Sequence, residues 1–191
     1  MVKDQVRAIG IDDAPFEFSD EDVLVVGTVI RAPNYLEGVL STRIDIDGTD
    51  ATEKLSEMVK DSKFREQAKV IFIDGAAIGG FNLIDLEELN GKTGIPCVSV
   101  SRKRPDFDDI KKAMKKHFDE WSERFEQIKK GKIYEIETTD KPIYIQKEGS
   151  DIQTVKRLLD RFTLLGRLPE PIRLSHIIAS GVVKGESRGK A

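Results

Sequence analysis

The 191-residue chain predicts a mixed α/β fold: a mostly five-stranded sheet, antiparallel over its first three strands and parallel after them, flanked by helices. Three observations predict it. Residues 5–11, 23–32 and 38–47 are extended, β-rich runs, and the Pro33-Asn34 turn between the last two makes an antiparallel meander. Residues 69–74 and 95–100 are short apolar strands separated by one helix, a spacing that implies a right-handed parallel crossover. After residue 100 the chain reads as helices, broken by one short hairpin. The length and the lack of repeats or linkers predict one domain over residues 1–180, with a polar, flexible tail over 181–191.

Each element has a local cause. Asp50-x-x-Glu53 reads as a capping box for a helix carrying Leu55, Met58 and Val59. The glycine-rich run 75–80 leads into a helix over 82–89 that Gly91 stops. From Pro105 to Lys130, Phe107, Ile110, Met114, Phe118, Trp121, Phe125 and Ile128 step by three or four, which predicts one long amphipathic helix. Residues 133–137 and 142–146 read as a short hairpin. Ser150-x-x-Gln153 caps a helix with Ile152, Val155, Leu158, Leu159 and Phe162 on one face, ended by Gly166. Pro169-Glu170-Pro171 opens the last helix, which carries Arg173 and His176.

Composition narrows the function classes. Hydrophobic residues are 39% and charged residues 34%, so the chain is globular with a heavily charged surface. Its one cysteine, Cys97, lies in an apolar strand, which rules out an intrachain disulfide or zinc cluster and fits a cytosolic protein. No apolar run approaches ~18 residues and no signal-peptide core is present, so neither a membrane span nor an export signal is expected. A net charge of −3 does not advertise nucleic-acid binding. A nucleic-acid partner needs local cations, offered by Arg102-Lys103-Arg104 and by Lys184, Arg188 and Lys190.

Two strands end in aspartate: Gly10-Ile11-Asp12-Asp13 and Phe72-Ile73-Asp74-Gly75. On neighbouring parallel strands such carboxylates stand roughly 5 Å apart, a spacing that suits a shared Mg²⁺ or Mn²⁺; solvated strand ends are the other reading. With only His117 and His176 available, a histidine-rich zinc site is excluded, and any metal site is carboxylate-based. The glycine run lacks the lysine and hydroxyl of a phosphate-binding loop.

Ordered blocks of the chain resemble endonuclease V, and in particular the archaeal domain-of-unknown-function 99 family related to it. Gly10-Ile11-Asp12 is similar to that family's first-strand G-V-D. Residues 35–43, Tyr35 to Arg43, are similar to Y-I-P-G-L-L-x-F-R, its wedge segment. Asp74-Gly75 with Ile78-Gly79 looks like D-G-x-G, and Pro96 to Arg102 like P-t-I-G-V-A-K. Lys141-Pro142-Ile143-Tyr144-Ile145 corresponds to K-P-L-Y-V, and Arg167 to His176 nearly repeats R-L-P-E-P-x-R-x-A-H.

The resemblance implies a ribonuclease H-like fold and a divalent-metal-dependent nuclease acting on DNA or RNA. It implies Asp12 and Asp74 as Mg²⁺ or Mn²⁺ ligands, His176 as an active-site residue, and Tyr35, Arg102 and Lys103 on the nucleic acid. The family's catalytic Glu is Ile44 here, so a third carboxylate has to come from Asp47 or Asp45, with Asp47 favoured beside Gly48. The wedge proline is Glu37. These departures keep a second reading open, a module on the same fold that binds nucleic acid or protein without cutting.

Overall fold

The computed structural model describes residues 5–187. Strands β1 (Arg7–Asp13), β2 (Asp22–Arg31) and β3 (Tyr35–Asp45) form the antiparallel meander. Helix α1 (Ala51–Lys60) follows, then β4 (Ala68–Asp74), parallel to β1. A two-strand hairpin, β5 (Ala77–Ile78) and β6 (Asn82–Leu83), precedes α2 (Leu86–Thr93), and β7 (Cys97–Ser101) returns parallel to β4. Then come α3 (Phe107–His117), α4 (Trp121–Ile128), β8 (Tyr134–Ile136), β9 (Ile143–Glu148), α5 (Ile152–Phe162) and α6 (Glu170–Lys184).

The main sheet has seven strands, not five, in the order β3-β2-β1-β4-β7-β9-β8. The β8–β9 hairpin pairs antiparallel with β7 and extends the edge. Alternation along the strands divides the core. Ile9, Ile11, Ile71 and Ile73 face α1 and α2 with Leu55, Val59 and Leu89. Ala8, Val70, Phe72, Val98 and Val100 face α5 with Val155, Leu159 and Phe162.

Several local expectations are corrected. The apolar stripe of 105–130 folds back on itself, because Phe118 is extended (φ −134°, ψ 132°) and splits it into α3 and α4. A straight helix of that length would run about 39 Å with its stripe half-covered. Folding instead brings Phe107 against Phe125 at 6.3 Å and Phe118 against Phe81 at 5.7 Å, and buries Leu83, Met114 and Phe125 in a small separate core.

The helix after the glycine run begins at Leu86. Asp85 caps it by accepting from the Glu88 N–H at 3.0 Å, and Gly94 rather than Gly91 ends it at φ 73°. Asp50 stands at the start of α1 but does not cap it with its side chain; its carboxylate accepts from Asn82 at 2.6 Å, while the Asn82 amide oxygen takes the Ala51 N–H at 3.0 Å. Asp151, not Ser150, caps α5 through the Thr154 N–H, and the helix ends at Phe162, before Gly166. The last helix runs through Lys184, past the expected start of the tail; Arg188 and Lys190 lie outside the described residues. Among the described residues no helix is long and apolar enough to cross a membrane.

Candidate active site

The site stands where β1 and β4 end. Ile11 pairs with Ile73, so Asp12 and Asp74 leave neighbouring parallel strands side by side, on the face shared with Phe72. Asp12 is 4% exposed. Burial in an apolar sheet disfavours its charge, and the hydrogen bond to His176 only partly offsets that. The negative charges of Asp74 and Asp13 add to it, and the Asp12 carboxyl is pushed up to about 7. Burial also raises Asp13 and Asp74, the latter against the pull of the Arg102 guanidinium 3.8 Å away.

Helix α6 brings the histidine. Adding a Cβ to Gly10 would place it 2.1 Å from the Pro171 carbonyl carbon, so only glycine lets the helix rest on the backbone of β1. Ser175 Oγ donates to the Gly10 carbonyl at 2.7 Å and accepts the Thr28 N–H at 3.2 Å, and Thr28 Oγ1 donates to the Pro171 carbonyl at 2.7 Å. One residue on, His176 Nδ1 lies 2.8 Å from Asp12 Oδ2. That contact raises the His176 pKa, and its Nε2 is buried with no hydrogen-bond partner among the described residues.

Asp13 points the opposite way from Asp12. Its Oδ2 accepts the Gly79 N–H at 2.6 Å and so ties the β5–β6 turn to β1. Asp47 holds the same turn from the other side: its N–H donates to the Gly79 carbonyl at 2.8 Å and its Oδ1 accepts the Phe81 N–H at 2.7 Å. Among the described residues it alone has positive φ without being glycine, at 55°. Asp47, expected as the third carboxylate, thus stands as a clamp on this turn. Its carboxylate is engaged with the turn, while the third acid whose charge reaches Asp12 is Asp13. Asp45 is exposed at the end of β3. Ile44 is 1% exposed in the core beneath Gly79, so this position supplies no carboxylate.

Tyr35 is not brought to the carboxylates. It pairs with Arg31, and Arg31 with Arg7, five residues before Asp12, so it stands about 17 Å down the sheet. There it is 60% exposed, with the Arg31 guanidinium 4.7 Å above its ring. Glu37 is ion-paired with both Arg7 and Arg31, which accounts for an acid in that segment. Arg102 and Lys103 do reach the site: an open groove of about 1460 Å³ is lined by Asp74 and His176, and by Arg102, Lys103, Arg104 and Arg167. Cys97 is buried, as expected, and burial pushes its thiol up to about 12.

Among the described residues no three Asp, Glu, His or Cys side chains converge as a ready metal cage. The donors nonetheless fit a hard divalent cation. Asp12 and Asp74 are crowded, buried carboxylates whose repulsion a cation would relieve, and Mg²⁺ is commonly held by one or two carboxylates with water and phosphate completing the shell.

Comparison with known proteins decides the family, because residues 4–183 match Endonuclease dU. The chain belongs to the Endonuclease dU family. A UPF0215 protein of Methanothermobacter thermautotrophicus is 46% identical over 192 residues, covering 100% of this chain and 94% of that one. A crystal structure of an Archaeoglobus fulgidus protein superposes with a TM-score of 0.83 at 41% identity, covering 93% of this chain and 98% of that one. Endonuclease V of Ciona intestinalis, in complex with a 24mer DNA containing an inosine followed by a ribo-adenosine, superposes with a TM-score of 0.64 at 13% identity, covering 96% and 88%. That last likeness shows the fold, the ribonuclease H-like sheet of endonuclease V.

The sequence reading missed the bolt that places His176. Its signals were there: Thr28 in an otherwise apolar strand, Gly10 before the aspartates, and Ser175 before the histidine.

Proposed function

We propose that this member of the Endonuclease dU family is an endonuclease that hydrolyses phosphodiester bonds in nucleic acid and depends on Mg²⁺ or Mn²⁺. The observation that carries the reading is the contact of buried Asp12 with half-buried His176, beside Asp74 at the ends of two parallel strands, opening into a groove lined by Arg102 and Lys103. The family's name, and the inosine-containing DNA bound by the Ciona endonuclease V, support it.

Asp12 and Asp74 would hold the metal, with Asp13 in support through its charge. The metal, when bound, activates water for attack and neutralises the leaving oxygen. With Nδ1 engaged by Asp12, Nε2 is the nitrogen of His176 left to pass a proton to or from a substrate oxygen. Arg102 sets a guanidinium beside the scissile phosphate, and Lys103 adds charge at the groove mouth.

The test is incubation of the purified chain with deoxyuridine-containing, inosine-containing and unmodified DNA and RNA in Mn²⁺, with Asp74→Ala as control. Cleavage lost in the variant supports the reading; no cleavage of any substrate, or cleavage that survives the substitution, sinks it. The buried Ile44 favours a second reading, a module that retains nucleic acid without cutting. Salt-sensitive retention with no product under the same conditions would select it.

A further inference from the structure

The two most exposed large apolar side chains among the described residues both belong to the carboxylate end of the sheet: Leu165 is 82% exposed and Phe18 76% exposed. Phe18 lies in the connection that leaves β1 immediately after Asp12 and Asp13 and re-enters the sheet at Asp22. Phe16 packs on the core and meets Phe18 edge-on, with ring centroids 5.4 Å apart at 80°. The Phe18 ring also reaches the β5–β6 turn, where a Cβ on Gly80 would lie 3.5 Å from its Cε1. Gly80 lines the same groove as Asp74 and His176, and Leu165 lines it from the connection between α5 and α6. Phe18 is thus propped against Gly80, a residue of the groove's lining, with most of its surface unused by the fold.

We infer that Phe18 is a base-stacking residue: the strand in the groove lays an unstacked nucleobase on its ring, and Leu165 contacts that strand across the groove. The inference rests on the nucleic-acid reading above and narrows its substrate class. A base inside a continuous duplex has both faces covered by its neighbours, so a ring offered beside the groove serves a strand that is single or locally opened. Charge complementarity argues for this occupant. The groove is lined by Arg102, Lys103, Arg104 and Lys141 together with apolar side chains such as Phe81 and Leu165, and apolar and cationic contacts together match the bases and phosphates of one strand. The inference also fills the place left by Tyr35, which stands at the other end of the sheet.

The experiment is fluorescence anisotropy in EDTA, so that no hydrolysis intervenes, with short labelled single-stranded DNA and RNA and with the same sequence as a blunt duplex. Phe18→Ala weakens single-strand affinity about tenfold and Leu165→Ala about threefold, with duplex affinity nearly unchanged. Phe18→Trp, placed in a Trp121→Phe background, keeps the affinity, and its emission is quenched as oligonucleotide is added. Phe18→Ala that binds single strands like the wild type, with an unchanged thermal midpoint, overturns the stacking role and leaves a docked protein to explain the exposed ring. Unquenched emission from the bound Phe18→Trp protein overturns it as well. A wild-type chain that retains no oligonucleotide at low salt overturns the nucleic-acid reading itself, a separate result.

Discussion

The hydroxyl of Ser175 is bonded to the main-chain carbonyl of Gly10 at 2.7 Å, and this contact sets where His176 can stand. It bonds α6 to the backbone of β1, and the imidazole one residue later falls within 2.8 Å of Asp12. Gly10 contributes by having no side chain and Ser175 by having one of the right length. The pair is a gauge for the active site, built from neither a carboxylate nor a histidine.

Gly10→Ala forces α6 off the strand, since its Cβ would lie 2.3 Å from the Pro171 carbonyl oxygen. We expect a loss of more than ~3 kcal/mol, or failure to fold. Ser175→Ala strands the Gly10 carbonyl and the Thr28 N–H and costs ~1–3 kcal/mol. Urea denaturation checks both; a Gly10→Ala midpoint within error of the wild type contradicts the close approach.

Divalent metal raises the thermal midpoint if Asp12 and Asp74 bind it in the folded chain alone, by ~2.7 kcal/mol at a hundredfold excess over Kd. Asp12→Asn and Asp74→Asn abolish that gain while leaving the metal-free protein folded. Calorimetry with Mn²⁺ and with Mg²⁺ reads it directly, and no shift at millimolar metal counts against the site.

In EDTA, stability falls as pH rises. The Asp12 carboxyl moves from an ordinary 3.8 up to about 7 on folding, so the folded chain binds more protons across that window and loses stability through it. The raised His176 has the same sign: its contribution is complete below about 6.5 and is lost as pH climbs through its higher folded value. Asp12→Asn flattens the profile between pH 4 and 7. A wild-type midpoint that rises steadily over that range would falsify the buried, proton-holding pair.

Asp47→Asn separates a ligand from a turn clamp. The amide oxygen still accepts from Phe81, so the variant keeps its metal-induced thermal shift and loses ~1 kcal/mol or less of stability. Asp13→Asn weakens the metal shift by removing one of the negative charges that reach Asp12. Equal loss of the shift in Asp47→Asn restores Asp47 as a ligand.

Tyr35→Ala leaves oligonucleotide affinity within twofold of the wild type, since Tyr35 stands about 17 Å from Asp12 along the sheet. Arg102→Ala weakens it and lowers the salt slope by about 0.7–0.9. Filter retention over a salt series distinguishes them.

Residue types at strand ends made Asp12 and Asp74 legible as candidates, because a short apolar run that ends in a carboxylate is visible without tertiary information. The parallel β4–β7 crossover was legible for a similar reason, since two buried strands one helix apart have few topologies open to them. What failed depended on long-range contact. The stripe from Phe107 to Ile128 has the same period whether the helix is straight or doubled back, and only Phe81 and Leu83 waiting on the β5–β6 hairpin decide between them. Asp50 and Asp47 carried strong local signals that Asn82 and the Gly79–Phe81 turn redirected from 32 to 34 residues away. The Tyr35 expectation followed the wedge block, whereas strand register, which no local motif encodes, put it at the wrong end of the sheet.

The bond between Asp12 and His176 joins residues 164 apart in sequence. At a synthesis rate of about 5–20 residues per second, roughly 8–30 s pass between the emergence of the acid and that of the base. Through that interval the growing chain displays its carboxylates without the imidazole or the helix that carries it. The Asp12–His176 contact therefore forms only after almost the whole polypeptide has been made, and a product truncated before the last helix cannot form it.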